Sequence, residues 1–262
     1  MQALTRVVAV ANQKGGVGKT TTSVNLSASL AMSGSQVLLV DLDPQGNATM
    51  GCGVDKNAVS STIYEWLLED QLLQDIVVRC QGGFDVLPAN LDLTAAEVGL
   101  MDSEGREYFI SDRLARQAGS YEYVIIDCPP SLSILTVNAL IAAHGVLIPM
   151  QCEYYALEGL SALLETIDGV KAHANPNLAV EGILRTMYDP RNSLTRDVSR
   201  QLIHYFGDEV FRTVIPRNVR LAEAPSHGLP AILYDRTSRG AVAYMALAGE
   251  FRSKHQRPQI LA

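Results

Sequence analysis

The sequence has no C-x-x-C pair. Its four cysteines, Cys52, Cys80, Cys128 and Cys152, stand far apart. Isolated thiols are expected to stay reduced and structural, which suits a reducing compartment and excludes a disulfide scaffold. No apolar stretch reaches the ~18 to 20 residues that a spanning helix needs. The first apolar run, Val7–Ala11, leads straight into glycines, so no secretory signal is expected. Repeats, low-complexity tracts and long linkers are missing too. Charged residues make up 19% against 47% hydrophobic, which excludes a disordered chain. What remains is a chain expected to be soluble and cytoplasmic, with 262 residues able to bury a sizeable core.

An excess of positive charge is also lacking. Net charge is −7, which taken whole argues against nucleic acid. The charge is uneven, however. Residues 185–220 hold seven arginines and four acids, a net +3 that leaves −10 for the rest. A local field matters more than net charge at a docking surface.

Short Val- and Ile-rich runs alternate with amphipathic stretches. Strands are expected at Val7–Ala11, Val37–Val40, Phe84–Leu87, Tyr123–Ile126, Val146–Pro149, Val180–Leu184 and Thr213–Ile215. Several are apolar throughout, as strands covered on both faces should be. Helices are expected at Lys19–Met32, Glu107–Gln117, Ile134–Ala143, Leu157–Ala174, Ser193–Phe206 and Arg239–Arg252. The alternation implies one α/β domain over residues 1–254, with a mainly parallel twisted sheet and helices on both faces. A frayed tail is expected over 255–262.

The segment VVAVANQKGGVGKTTTSVNL carries the clearest motif. Gly15, Gly16 and Gly18 follow a strand and precede a helix, the setting a phosphate loop requires. Glycines let backbone N–H groups curl around an anion, and the helix N-terminus adds positive potential. Lys19 would reach the β and γ phosphates, and the Thr20 hydroxyl would hold Mg²⁺. The candidate nucleotide loop is thus Lys14, Gly15, Gly16, Val17, Gly18, Lys19, Thr20 and Thr21. A dinucleotide fingerprint started at Gly16 fails, because Thr21 stands where its third glycine belongs. Yet G-x-x-x-x-G-K-[ST] also misses one position. Its first glycine should be residue 13, which is Gln13, and a second lysine, Lys14, stands beside it.

A phosphate site needs a metal carboxylate. YVIIDCPPS ends a strand in Asp127, and VLLVDLDPQGN ends another in Asp41 and Asp43. Parallel strands bring their C-terminal ends to one sheet edge, so Asp41, Asp127 and the loop should converge there.

Together KGGVGKTT, DLDPQGN and VIIDCPPS resemble the deviant Walker ATPases, and within them the ParA/Soj chromosome-partitioning branch. PMQCEYYALEGL, RTMYDPRNSLT and VIPRNVRLAEAPSHGLP extend the resemblance over about residues 5 to 252. The resemblance implies a P-loop NTPase fold, ATP and Mg²⁺ as cofactors, and slow hydrolysis. It makes Lys14 the signature lysine, which reaches across an ATP-dependent homodimer to the partner's phosphates. Asp41 would orient the attacking water, and Asp127 would support Mg²⁺ through a water. Lys14, Lys19 and Asp41 are therefore the candidate catalytic residues. Pro216 and Asn218 match positions that contact adenine. The implied partners are a ParB-like centromere-binding protein and non-specific double-stranded DNA, with nucleoid association rather than a membrane.

Arg191, Arg196, Arg200, Arg217 and Arg220 are the candidate DNA contacts. Arg191 and Arg220 match positions the family uses. The five would meet phosphates without reading bases. Pairing with Asp189, Asp197 or Glu209 is the competing account. Only about eleven residues precede the loop, so no operator-binding domain is expected. The alternative function is a membrane-cycling switch like MinD. That requires a C-terminal amphipathic helix, for which AGEFRSKHQRPQILA, with Pro258, is poorly suited. A metabolic P-loop ligase would make Lys14 incidental.

Overall fold

A computed structural model describes residues 5–101 and 103–256. Its strands are β1 (Arg6–Val10), β2 (Val37–Asp41), β3 (Val78–Arg79), β4 (Asp85–Leu87), β5 (Tyr123–Asp127), β6 (Gly145–Gln151), β7 (Ala179–Tyr188) and β8 (Val210–Pro216). They form one sheet in the order β3-β4-β2-β5-β1-β6-β7-β8. Every pairing is parallel except β3 with β4, at the edge.

The helices are α1 (Lys19–Met32), α2 (Asn47–Gly51), α3 (Ile63–Leu68), α4 (Leu73–Ile76), α5 (Leu93–Met101), α6 (Phe109–Gln117), α7 (Ile134–Ala142), α8 (Ala156–His173), α9 (Ser193–Phe206), α10 (Val219–Glu223), α11 (Ala231–Tyr234) and α12 (Arg239–Gln256). They cover both faces, and the period of two along each strand shows how. Val7, Ala9, Val124 and Ile126 pack into one core with α3, α5, α6, α7 and α8. Val8, Val10, Ile125 and Leu39 pack into the other with α1 and α12. A strand buried on both sides must be apolar at every position, which is why the central strands read as continuous runs.

Local chemistry sets the boundaries. Ser133 caps α7 and Asn192 caps α9, each accepting a hydrogen bond from the backbone two residues on. A capping box of Thr62 and Glu65 starts α3. The expected strands and long helices appear within a few residues of their predicted ends. Missing from the sequence-based expectation were β3, which is too short to show a pattern, and the short helices α2, α3, α4, α5, α10 and α11. The tail also differs from expectation. Helix α12 continues through Gln256, where His255 packs edge-on against Phe251 and at a tilt against Tyr123, and meets Glu181 at 2.9 Å. Residues 257–262 of the expected frayed tail lie outside the described residues.

Candidate functional site

The loop between β1 and α1 is shaped by two glycines in the left-handed region. Gly16 has φ 73° and Gly18 φ 90°, a conformation that side chains with a Cβ rarely adopt. Space is no constraint at Gly16, where a Cβ would meet nothing within 4 Å. The loop is pinned from two sides. Asn12 accepts from Lys14 N at 2.9 Å and donates to Pro149 O on β6 at 2.8 Å. From β7, Thr186 Oγ1 donates to Val17 O at 2.7 Å. Val17 is buried and serves the loop from behind.

In front of the loop lies a cleft of ≈ 580 Å³. Gly15, Gly16, Gly18, Lys19, Thr20 and Thr21 form its floor, and Asp43, Gln45, Asn47, Pro130 and Met187 stand around it. Lys19 is nearly buried, and its Nζ donates to Lys14 O at 3.1 Å. Burial lowers its pKa against the pull of Asp127, Cys128 and Asp43. A partly desolvated ammonium at a helix N-terminus, ringed by free backbone amides, is a site for a polyanion.

The sheet brings the two strand-end carboxylates together. Asp41 on β2 and Asp127 on β5 are register partners, and Val10, at the end of β1, pairs with Asp127 from the other side. Both carboxylates are fully buried. Burial, followed by the charge of Asp41, pushes Asp127 up to about 7. Burial also pushes Asp41 up to about 6, opposed by hydrogen bonds from Thr49 and the Asp43 amide.

Asp127 Oδ1 lies 2.8 Å from the Ser23 hydroxyl, but Oδ2 is buried without a partner. A buried lone pair of that kind costs free energy unless something donates to it. A water on a Mg²⁺ ion would do so, and Mg²⁺ keeps several of its waters. Among the described residues no cluster of three or more His, Cys, Asp or Glu could hold a metal alone. A cation here would therefore arrive with a phosphate, held by Thr20 and, through water, by Asp127. The residues fit Mg²⁺ on those terms.

Beside the cleft is a second hollow of ≈ 400 Å³, which shares Gly18, Thr21 and Met187 with it. Pro216, Arg217 and Asn218 line it, with Ile215, Leu221 and Tyr244 supplying apolar wall. Asn218 also caps α10, accepting from Arg220 N at 2.9 Å. A largely apolar hollow next to a phosphate cradle suits a heterocyclic base.

Lys14 stands apart from this arrangement. Its ammonium does not line the cleft but pairs with Glu153 at 2.7 Å, with both side chains about half exposed. Tyr154 and Tyr155 follow, 74% and 71% exposed and edge-to-face.

The arginine segment divides. Arg185, one of the seven counted in the sequence, is buried; it donates to Ser199 Oγ, Phe211 O and Arg212 O. It ties β7 to α9 and β8 and adds nothing to a surface field. Arg191, Arg196, Arg200, Arg217 and Arg220 are all exposed. Arg191 forks onto Asp189 through two bonds of 2.9 and 2.8 Å. Arg200 pairs with Asp197, and Arg220 with Glu223 and Asp235. The Arg196 guanidinium donates to Pro190 O, and Arg217 borders the base hollow.

Known proteins carry the same architecture. A sequence model of the AAA domain family matches residues 5–180. The chromosome partitioning protein ParA of Myxococcus xanthus is 51% identical over 95% of this chain and 88% of that protein. The chain belongs to the ParA/Soj family of chromosome-partitioning ATPases. The chromosome-partitioning ATPase Soj of Thermus thermophilus is 50% identical over 98% of this chain and 99% of its own length. Among solved structures, a cobyrinic acid a,c-diamide synthase of Mycobacterium smegmatis with bound ADP and magnesium superposes with a TM-score of 0.84. It is 40% identical and covers 99% of this chain and 100% of that one.

Seen as a ParA/Soj protein, the molecule has site residues that the sequence reading did not single out: Thr49, Glu153, Thr186 and Met187. Glu153, Thr186 and Met187 sit inside quoted motifs and Thr49 lies two residues beyond one, but their roles depend on partners distant in sequence. Among the described residues no helix is long and apolar enough to cross a membrane.

Proposed function

We propose that this chain is an ATP-driven switch in chromosome partitioning. Bound ATP brings two copies face to face, the dimer holds double-stranded DNA without regard to sequence, and hydrolysis releases it. Lys19 neutralises the β and γ phosphates of the chain's own ATP, while Thr20 and Asp127 hold its Mg²⁺. When bound, that ion supplies charge for the leaving diphosphate. Asp41 orients the attacking water; in phosphoryl transfer positioning and electrostatics dominate. Pro216 and Asn218 flank the adenine. Intrinsic turnover is slow, and a ParB-like partner accelerates it.

The observation that carries this reading is the division between the two lysines. Lys19 is sunk in the cleft, whereas Lys14 springs from the same loop and points its ammonium outside it. A cation displayed there is available to a second copy's triphosphate, as an arginine finger is. Arg191, Arg196, Arg200, Arg217 and Arg220 lie exposed, which supports a role in meeting DNA phosphates, and in this reading the dimer works on the nucleoid.

Binding of random-sequence duplex DNA by the Asp41→Ala variant, with ADP and with ATP at rising salt, tests the proposal. ATP alone should give cooperative binding that weakens steeply with salt. Binding to anionic vesicles with DNA ignored would instead support a MinD-like membrane switch. The name of the mycobacterial structure raises amide synthesis as a further reading, in which DNA and vesicles are both ignored in every nucleotide state.

A further inference from the structure

Asp41 is held by a network more specific than capping requires. Its Oδ2 accepts two hydrogen bonds, both from Thr49: the backbone N at 2.8 Å and Oγ1 at 2.7 Å. Its Oδ1 accepts only the Asp43 amide, at 3.2 Å. Thr49 lies on α2 and is fully buried. A hydroxyl has one proton to give and lone pairs to receive. The Ala89 amide donates to Thr49 Oγ1 at 2.9 Å, so the hydroxyl proton is left for Asp41. The rotor is fixed from both ends. An amide just beyond β4 sets a hydroxyl on α2, and that hydroxyl sets a carboxylate at the end of β2.

The consequence is an asymmetric carboxylate. Two donors saturate Oδ2 from within the fold, while Oδ1 keeps a free lone pair beside one long bond. Asp43, two residues on and bonded to that same Oδ1, lines the cleft. We propose that Thr49 is a positioning residue for hydrolysis: by occupying Oδ2 it fixes the Asp41 side chain so that Oδ1 receives the attacking water. This rests on the reading that Asp41 orients that water. The Thr49 hydroxyl touches neither nucleotide nor water and acts only through Asp41.

A small displacement of an orienting group costs rate far more than binding, since positioning carries the step. In the full-length protein, Thr49→Val keeps the shape and the backbone bond but deletes the hydroxyl. Turnover should fall about 10- to 100-fold, with ATP affinity and ATP-dependent dimerisation unchanged. Thr49→Ser, which restores the hydroxyl, should return most of the rate. In an Asp41→Ala background, Thr49→Val should subtract nothing further, because the two residues act as one unit. Should Thr49→Val not fold, Thr49→Ala, which leaves room for a water at the Ala89 amide, carries the same comparison. Normal turnover in the hydroxyl-free variant, a Thr49→Ser as slow as Thr49→Val, or a parallel loss of ATP affinity would overturn the proposal. If Asp41→Ala itself turned over normally, the reading beneath it would fail instead, and the two failures are distinguishable.

Discussion

Two sets of aspartates divide this molecule. At the C-terminal edge of the sheet, Asp41 and Asp127 are buried and pushed up to about 6 and 7, chiefly because water is gone; the charge of Asp41 adds to the shift of Asp127. On the arginine segment, Asp189 is partly exposed and held down at about 2, chiefly by the Arg191 guanidinium. Beside the cleft the Asp127 carboxylate keeps one oxygen, Oδ2, without a hydrogen-bond partner, a position that a cation arriving with its phosphate could satisfy. On the arginine face, three of the five candidate arginines, Arg191, Arg200 and Arg220, are already paired with acids. Exposed pairs of that kind are worth little and exchange readily, so a DNA phosphate can replace Asp189 on Arg191 at small cost. One region is built to wait for a ligand, the other to trade partners.

The largest effect expected from this contrast is on stability. A carboxylate whose folded pKa is raised favours folding at low pH, and that contribution is lost as pH rises through the folded value. Nucleotide-free protein should therefore lose stability, by up to a few kcal/mol, between about pH 4 and pH 8. Urea unfolding at fixed ionic strength checks this, and Asp127→Asn should flatten the slope. A slope that Asp127→Asn leaves unchanged would break the comparison at its first half.

The arginine face should respond more weakly and differently. Arg191→Ala and Arg220→Ala should each weaken ATP-dependent DNA binding across all sequences and lower the salt slope by about one. Hydrolysis without DNA should not change. An arginine variant that alters sequence preference would point to base readout instead. The smallest effect is expected from Asp189→Asn. Freed of its partner, Arg191 should bind DNA a few-fold tighter. Because Asp189 stays charged down to about 2, the wild-type pair should persist unchanged from pH 5 to 8.

The same contrast explains what was legible in the sequence. Gly15, Gly16, Gly18, Lys19, Asp41 and Asp127 could be placed without a structure because their function is tied to strand ends, and parallel strands deliver those ends to one edge. That the sheet is mainly parallel and covered on both faces followed from the apolar runs and their alternation with helices, whereas the strand order came only from the structure. Thr49 was not legible, since its meaning depends on Ala89, which lies 40 residues away. Glu153 is hidden for the same reason: nothing in GLN-LYS or CYS-GLU-TYR spacing says that Lys14 and Glu153 meet. Counting arginines also misled at Arg185, because a helix and two strands enclose it. Charge runs report composition, and only the fold decides which charges reach water.

In the proposed switch Lys14 acts on the partner's ATP, and mixing two inactive variants tests this directly. Lys14→Ala and Asp41→Ala should each hydrolyse almost no ATP. In a mixed dimer, the Lys14→Ala copy keeps its own Asp41 and receives Lys14 from its neighbour, which completes one site. An equal mixture should then recover up to about a quarter of wild-type hydrolysis, by random pairing across a two-fold interface. If the mixture shows only the sum of the two residual activities while both variants still bind ATP and pair, Lys14 works within its own chain, and the switch proposed here is wrong.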